Sequence, residues 1–592
     1  MRAPTFALAL ALVAALSPAR PVAAAIGLDL SYVDTGSPAF QRFLGFVDDA
    51  VAGNPGYGFS ATDAATAGRL VPADPDYCAL AVSMADQQVI DAETAWSTNP
   101  PERPEIAFDS YLYSGPMLRD LALAYDWCAA AVSASQRSRW ENYAEQAVFN
   151  IWNPSAASWN GHSFPWSGWS IDNPGNNYHF SFLAATMYWG FASQGCATCD
   201  DWIGFLAAEK IPPLVAYYQG LPGGGSREGT GYGVAQKGLF ELYRLWRDST
   251  PAHQDLAAAS THLRDTIDYW IHATVPTRDR FAPIGDQARV SIPDLYDYHR
   301  ALVLQARAMT AGSEPVNRRA TWWLDHVSVP EMQSGFNFRD DLLPAGSVEN
   351  PPSALFYSAT GVGHHFARSS WATDALWLAA VAGRYDESHA HQDQGGFTLF
   401  QGTWLAVTEN IWTHSGIEQG TEVHNVVRFD QGASTIAQHD ATSPVSTADD
   451  GRFVSIAADL TNVYSGSAVA SWTRTLRFDR QGSLLIADRF AKSAGVTATF
   501  QVQVPVAPVV AGRTATAGAL HLRVLLPNDA TLSVLDWHAV DPTEFNSGFR
   551  IDAGGSGGEF LVELTVGAFP GDALFADNFE TGAPDAWSGH SP

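Results

Sequence analysis

Three short stretches of this chain carry side chains able to move protons. Ser388-His389-Ala390-His391-Gln392-Asp393-Gln394-Gly395-Gly396-Phe397 sets two imidazoles two residues apart, ahead of a glycine pair and an apolar run. Asn176-Asn177-Tyr178-His179 offers amides, a phenol and an imidazole. Arg227-Glu228-Gly229-Thr230-Gly231-Tyr232 offers a guanidinium, a carboxyl and a second phenol. An imidazole takes or gives a proton near neutral pH, and a phenol can deliver one to a departing oxygen. An amide can hydrogen-bond a carboxylate as negative charge develops on it. If the segment around His389 and His391 is extended, the two rings share a face.

Each stretch also has a structural reading. Asn176 and Asn177 follow Pro174-Gly175 and can cap a helix. Tyr232 can open a helix and belong to its core. His389 and His391 can form a satisfied pair with no chemistry.

The elements that must position these residues differ along the chain. From about residue 37 to 330 the apolar period is helical. Ser37 can cap and Pro38 suits a first turn, with Phe40, Phe43, Leu44 and Val47 following at helical spacing. Ser133 caps a second pattern through Trp140, Tyr143, Ala147, Val148 and Ile151. Further helical segments are predicted over 176–195, 200–219, 232–248, 255–274 and 293–311. After about residue 350 the pattern alternates, and Phe397–Phe400, Val426–Phe429, Leu484–Ala487 and Thr497–Val502 read as strands. The turn residues of Asp479–Gly482 separate two of them. The expected fold is multidomain α+β, an N-terminal α/α toroid followed by an antiparallel β-sandwich. The expected boundaries are a signal peptide over 1–25, the toroid over 26–345, the sandwich over 346–568 and a tail over 569–592.

The first 25 residues support that division: basic Arg2, the apolar run Phe6–Leu16 and small residues ending at Ala25. The run is shorter than the roughly 20 residues needed to span a bilayer, and no later segment is both long and apolar enough. A secreted or periplasmic address is therefore expected. It makes disulfides plausible among the four cysteines, and we expect Cys78–Cys128 and Cys196–Cys199. The net charge of −28 argues against a nucleic-acid partner and mildly against a densely sulfated sugar. The oligomeric state is not legible.

With these motifs in order, the chain resembles the heparinase II/III-like family of polysaccharide lyases over roughly 170–490. Besides the three stretches, Arg368-Ser369-Ser370-Trp371 and His424-Asn425-Val426-Val427 carry the resemblance. It implies β-elimination on a uronic-acid-containing polysaccharide. A base removes the proton beside the uronate carboxylate, and an acid protonates the leaving oxygen. Carried over, Asn177 is the carboxylate-binding amide, with Asn176 the competing alignment. Tyr232 is the catalytic hydroxyl and His389 the catalytic imidazole. Tyr178 intervenes where the family places His directly after Asn, so His179 or Tyr178 fills that place. Arg227, Glu228 and Arg368 are candidate substrate-binding residues, each with a surface ion pair as its alternative. A phenol is a poor base at neutral pH without a nearby cation, and Arg227 is a sequence neighbour able to serve. The resemblance also implies a structural zinc on His391 and His424 with an acid a strand later. Thr408 stands where that acid is expected and Glu409 is adjacent, which leaves the ligand set open.

Two other function classes remain open. A toroid-fold glycoside hydrolase would need two flanking carboxyls, with Glu228, Asp172 and Asp286 as candidates. A non-catalytic glycan-binding surface protein would show binding without turnover.

Overall fold

Local signals set the first helices of the computed structural model, which describes residues 26–286, 293–408, 419–464 and 466–567. The proposed leader, the C-terminal tail and Glu409 lie outside the described residues. Helix α1, Pro38–Val51, starts where the Ser37 hydroxyl accepts the Phe40 amide at 3.1 Å, and it buries Phe40, Phe43 and Val47. The capping hydroxyl satisfies an amide that would otherwise lack a helical partner. After it come α2 Ala61–Leu70, α3 Pro75–Trp96, α4 Ser114–Trp127 and α5 Ala134–Trp152, the last capped by Ser133. Then follow α6 Asn177–Ala192, α7 Ile211–Gln219, α8 Gln236–Ser249, α9 His262–Ala273, α10 Asp297–Ala308 and α11 Pro315–His326. The alternate helices α2, α4, α6, α8 and α10 pack in succession on one another.

Three sequence expectations are adjusted here, the first being that the helix expected over 255–274 starts as a 3-10 turn at Leu256–Ala259 and is α-helical only from His262. The single helix expected over 200–219 is broken. A short turn at Trp202–Phe205 passes through the wider π-helical turn Leu206–Lys210 before α7. Pro212 and Pro213 explain the break, because neither can donate the amide a continuous helix requires. The segment from Tyr232 also begins as a tighter 3-10 turn, Tyr232–Ala235, before α8 continues.

Among the described residues, one compact unit comprises 26–286, 293–364 and 383–390, and a second comprises 365–382, 391–408, 419–464 and 466–567. Antiparallel sheets dominate the second unit. One eight-stranded sheet runs in the order Val445–Asp449, Phe453–Asp459, Val469–Asp479, Ser483–Lys492, Glu559–Val566, Leu520–Leu526, Thr514–Ala517, Val509–Ala511. A five-stranded sheet holds Val427–Gln431 and Val496–Val504 side by side. A third places Phe397–Gln401 between Trp377–Val381 and Thr403–Ala406. Alternation works as expected: Val454, Ile456 and Ala458 are buried while their neighbours are not. The turn expected at Asp479–Gly482 is closed by the Gly482 amide on the Asp479 carbonyl at 3.0 Å.

A buried ion pair anchors this unit. Arg474 and Asp488 are both essentially without solvent and meet at 2.7 Å. The same guanidinium donates to the carbonyls of Gly395 and Asn425 at 2.8 and 2.9 Å. Charge and donors are thus satisfied together, which a buried pair requires if it is not to be destabilising.

Both expected disulfides are present, Cys78–Cys128 with Cα atoms 5.2 Å apart and Cys196–Cys199. Among the described residues no helix is long and apolar enough to cross a membrane.

Candidate active site

The candidate site is assembled by backbone pairing between distant segments of the first unit. The Thr230 amide donates to the Ile284 carbonyl at 2.8 Å, the Tyr232 amide to Asp286 at 3.3 Å, and the Asp286 amide to His389 at 2.8 Å. The glycine-rich stretch, the 284–286 segment and the His389 segment therefore run against one another. Gly229 and Gly285 make the approach possible, with φ of +84° and +70°. A Cβ on Gly285 would sit 2.7 Å from the Glu228 carbonyl oxygen and 2.8 Å from that of His389. Only glycine adopts this backbone while leaving the space empty.

Segment 383–390 belongs to this first unit, so His389 meets Tyr232 inside it. The two rings are stacked, with centroids 3.5 Å apart and planes 3° from parallel. His389 Nδ1 lies 2.9 Å from Asp286 Oδ2. A carboxylate only accepts, so Nδ1 carries the proton and Nε2 is the basic nitrogen. Nε2 lies 4.0 Å from Glu228 Oε1.

The extended segment expected across His389 and His391 is corrected by the structure. A turn at Ser388-His389, with the Ala390 amide on the Glu387 carbonyl at 3.1 Å, breaks the alternation. The rings consequently face different partners. His391 belongs to the second unit, where its Nδ1 lies 3.2 Å from His424 Nε2.

Helix α6 presents the asparagines. Asn176 is its cap, accepting the Tyr178 amide at 3.1 Å, and its Nδ2 donates to Glu228 Oε1 at 3.1 Å. One side chain thus serves the helix end and a buried carboxyl. Asn177 occupies the first helical position, and its Oδ1 is buried with no hydrogen-bond partner. A buried amide oxygen without a partner costs free energy, which makes it a candidate to receive a donor from a ligand.

The other expected residues divide. Burial holds the His179 imidazole down to about 4, and its Nδ1 lies 3.2 Å from the Ser170 carbonyl oxygen. It is a neutral core histidine packed edge-on to Trp152. Tyr178 donates its hydroxyl to Asp109 at 2.8 Å. Arg227 pairs with Asp386 at 2.7 Å, and its guanidinium lies 5.7 Å from the Tyr217 ring centroid. The cation expected to activate Tyr232 is thus committed to a carboxylate instead. Arg368 lies in the second unit, buried, with its guanidinium 3.8 Å from the Trp371 ring centroid. Asp172 is largely exposed and paired with Lys210, outside this polar group.

Glu228 is almost fully buried. Burial and then the neighbouring Glu387 push its carboxyl well above the ordinary range, against the Asn177 backbone amide, and Asp286 adds to the rise. Glu387 is raised by burial too, against the Asn173 amide, which donates to its Oε2 at 2.9 Å. The sequence reading missed Glu387, Asp386 and Tyr217. The available signal was position alone: two acids just ahead of His389, and a tyrosine pair, Tyr217-Tyr218, closing an apolar helix. Asp286 was weighed as a hydrolytic acid, and its observed contact is with the imidazole.

A separation of 3.2 Å between His391 and His424 nitrogens matches two ligands on one tetrahedral zinc, whose Zn–N bonds are about 2.0–2.1 Å. It equally matches a hydrogen bond between the two imidazoles. The Thr408 hydroxyl lies 3.0 Å from His424 Nδ1 and so orients that ring. Among the described residues no third His, Cys, Asp or Glu joins the pair.

No protein-family model matches the chain, and no curated protein matches it in sequence. Solved structures do match. Heparan sulfate lyase HepC from Pedobacter heparinus superposes with a TM-score of 0.57 at 13% identity, over 94% of this chain and 88% of that one. A structure titled Heparinase III superposes at 0.58 and 13% identity, over 95% and 90%. The heparinase III BT4657 gene product gives 0.58 at 12% identity, over 94% and 88%. The fold resembles heparinase III. At such identities the likeness speaks for the fold, with its mixed helices and antiparallel sheets.

Proposed function

We propose that this protein is an exported polysaccharide lyase that cleaves a uronic-acid-containing polysaccharide by β-elimination. The observation that carries the reading is the Tyr232–His389 stack, with Asp286 fixing the imidazole. The likeness to heparan sulfate lyase supports the same reaction class. In this reading the succession of packed helices is an α/α toroid and the sheets of the second unit form a β-sandwich.

The Asn177 side-chain N–H donates to the uronate carboxylate, where negative charge grows as the adjacent carbon loses its proton. His389 Nε2 takes that proton, since Asp286 holds the other nitrogen protonated. The electron pair of the broken C–H bond becomes the new C=C bond. The bond to the glycosidic oxygen breaks, and the Tyr232 hydroxyl protonates that oxygen. Both groups then return to their starting states by exchange with water. His179, buried against Trp152, takes no part. Zinc, were it held by His391 and His424, would brace the second unit and supply no step.

Incubation with alginate, glucuronan and glycosaminoglycans tests the reading. The expected product is an unsaturated oligosaccharide, lighter by one water than a hydrolysis product. Saturated products with new reducing ends would assign Glu228 and Asp286 to hydrolysis instead. Binding without any turnover would favour a glycan-binding role.

A further inference from the structure

The proposed reaction brings an anionic sugar to a group of side chains that are mostly acids. Glu228, Asp286, Asp386 and Glu387 gather around His389 and α6. Two cations, Arg227 at 2.7 Å and Arg384 at 3.4 Å, share the Asp386 carboxylate, which leaves the carboxyls in excess. Were all these carboxyls ionised, an arriving uronate would meet uncompensated negative charge in a setting of low dielectric. Glu228 is where that conflict is sharpest. Its side chain is 1% exposed, its Oε1 is fixed by the Asn176 amide, and that oxygen lies 4.0 Å from the proton-accepting nitrogen of His389.

We propose that Glu228 works as an uncharged carboxylic acid, a positioning residue that lets Asn177 and His389 receive a uronate, and that its ionisation expels the sugar. The inference rests on the uronate reading above. Glu228 faces Glu387, Asp286, His389, Tyr217 and Tyr218, with Asp386 and its two partners Arg227 and Arg384 beyond. Among these it has the least solvent, and that burial favours the neutral form against the Asn176 amide that donates to its Oε1. The direction of its raised pKa agrees. Bound uronate adds another negative charge nearby and must hold that proton more firmly. Sugar binding and proton retention are therefore linked, and a change of one bound proton weakens binding tenfold per pH unit.

The variant E228Q isolates this role. Its amide keeps an oxygen for Asn176 and cannot ionise. Infrared difference spectra of wild type against E228Q at neutral pH should show a protonated-carboxyl band that the variant lacks. Binding of unsulfated glucuronan and alginate oligosaccharides should weaken up to tenfold per pH unit above the ionisation of Glu228. Binding by E228Q should stay flat over the same range. A missing band, or the same pH dependence in both proteins, overturns the proposal. A band in a protein that binds no uronan at any pH also overturns it, and that outcome alone takes the uronate reading with it.

Discussion

The imidazole of His389 lies flat on the phenol of Tyr232, 3.5 Å away, while its Nδ1 is tied to Asp286 at 2.9 Å. A ring held by a face and by one nitrogen has its remaining nitrogen aimed, and the aim is set before substrate arrives. Such prepaid orientation is a large part of what a positioned proton-transfer group contributes.

Tyr232→Phe removes the hydroxyl while keeping the stacked ring. Turnover on the best uronan should fall about 10²–10⁴-fold, with an unchanged circular dichroism spectrum and melting temperature. Equal losses of turnover and folded protein would place Tyr232 in the core instead.

Asp286→Asn leaves the backbone path intact but lets His389 change tautomer. The hydrogen bond it weakens involves a charged group, worth about 1.5–3 kcal/mol, so kcat should drop roughly 10- to 100-fold with little change in KM. An unaltered kcat would show that His389 is held by its stack alone.

The two asparagines should separate by assay. Asn176→Ala loses a helix cap, about 0.5–2 kcal/mol, together with the partner of a buried carboxyl, and should appear as reduced stability. Asn177→Ala should keep its melting temperature and lose turnover. The reverse pattern would transfer the carboxylate-binding role to Asn176.

Acid stability should depend on His299. Its Nδ1 accepts the Tyr296 backbone amide at 3.2 Å, and burial lowers the imidazole to about 3. The unfolded chain takes up a proton below about pH 6.5 and the folded chain does not until near 3, so stability falls as pH drops through that window. His299→Gln should flatten the decline in unfolding free energy between pH 6.5 and 4.5 by on the order of a few kcal/mol. A decline of the same slope in both proteins would assign acid lability elsewhere.

Much of this was legible where the cause is local. The Ser37 and Ser133 caps, the alternation of Val454, Ile456 and Ala458, and the Asp479–Gly482 turn depend on residues a few positions apart. The motifs carrying Asn177, Tyr232 and His389 stand out by residue type alone. What the sequence concealed was pairing across the fold. Arg227 looked available to Tyr232 until Asp386, 159 residues away, was found to hold it. His389 and His391 looked like one face of a strand, yet a turn closed by Glu387 sends them to Asp286 and His424. Asn425, part of a recognisable motif, proves structural: its amide donates to the Phe397 carbonyl and accepts from Gln503, both at 2.7 Å.

The most direct measurement counts chemistry per cut: ultraviolet absorbance of the unsaturated product against new reducing ends, for wild type and for Y232F. The account predicts one unsaturated end for each reducing end in the wild type, with both signals collapsing together in Y232F. Reducing ends formed without absorbance, or a Y232F protein that cleaves as fast as wild type, would contradict it.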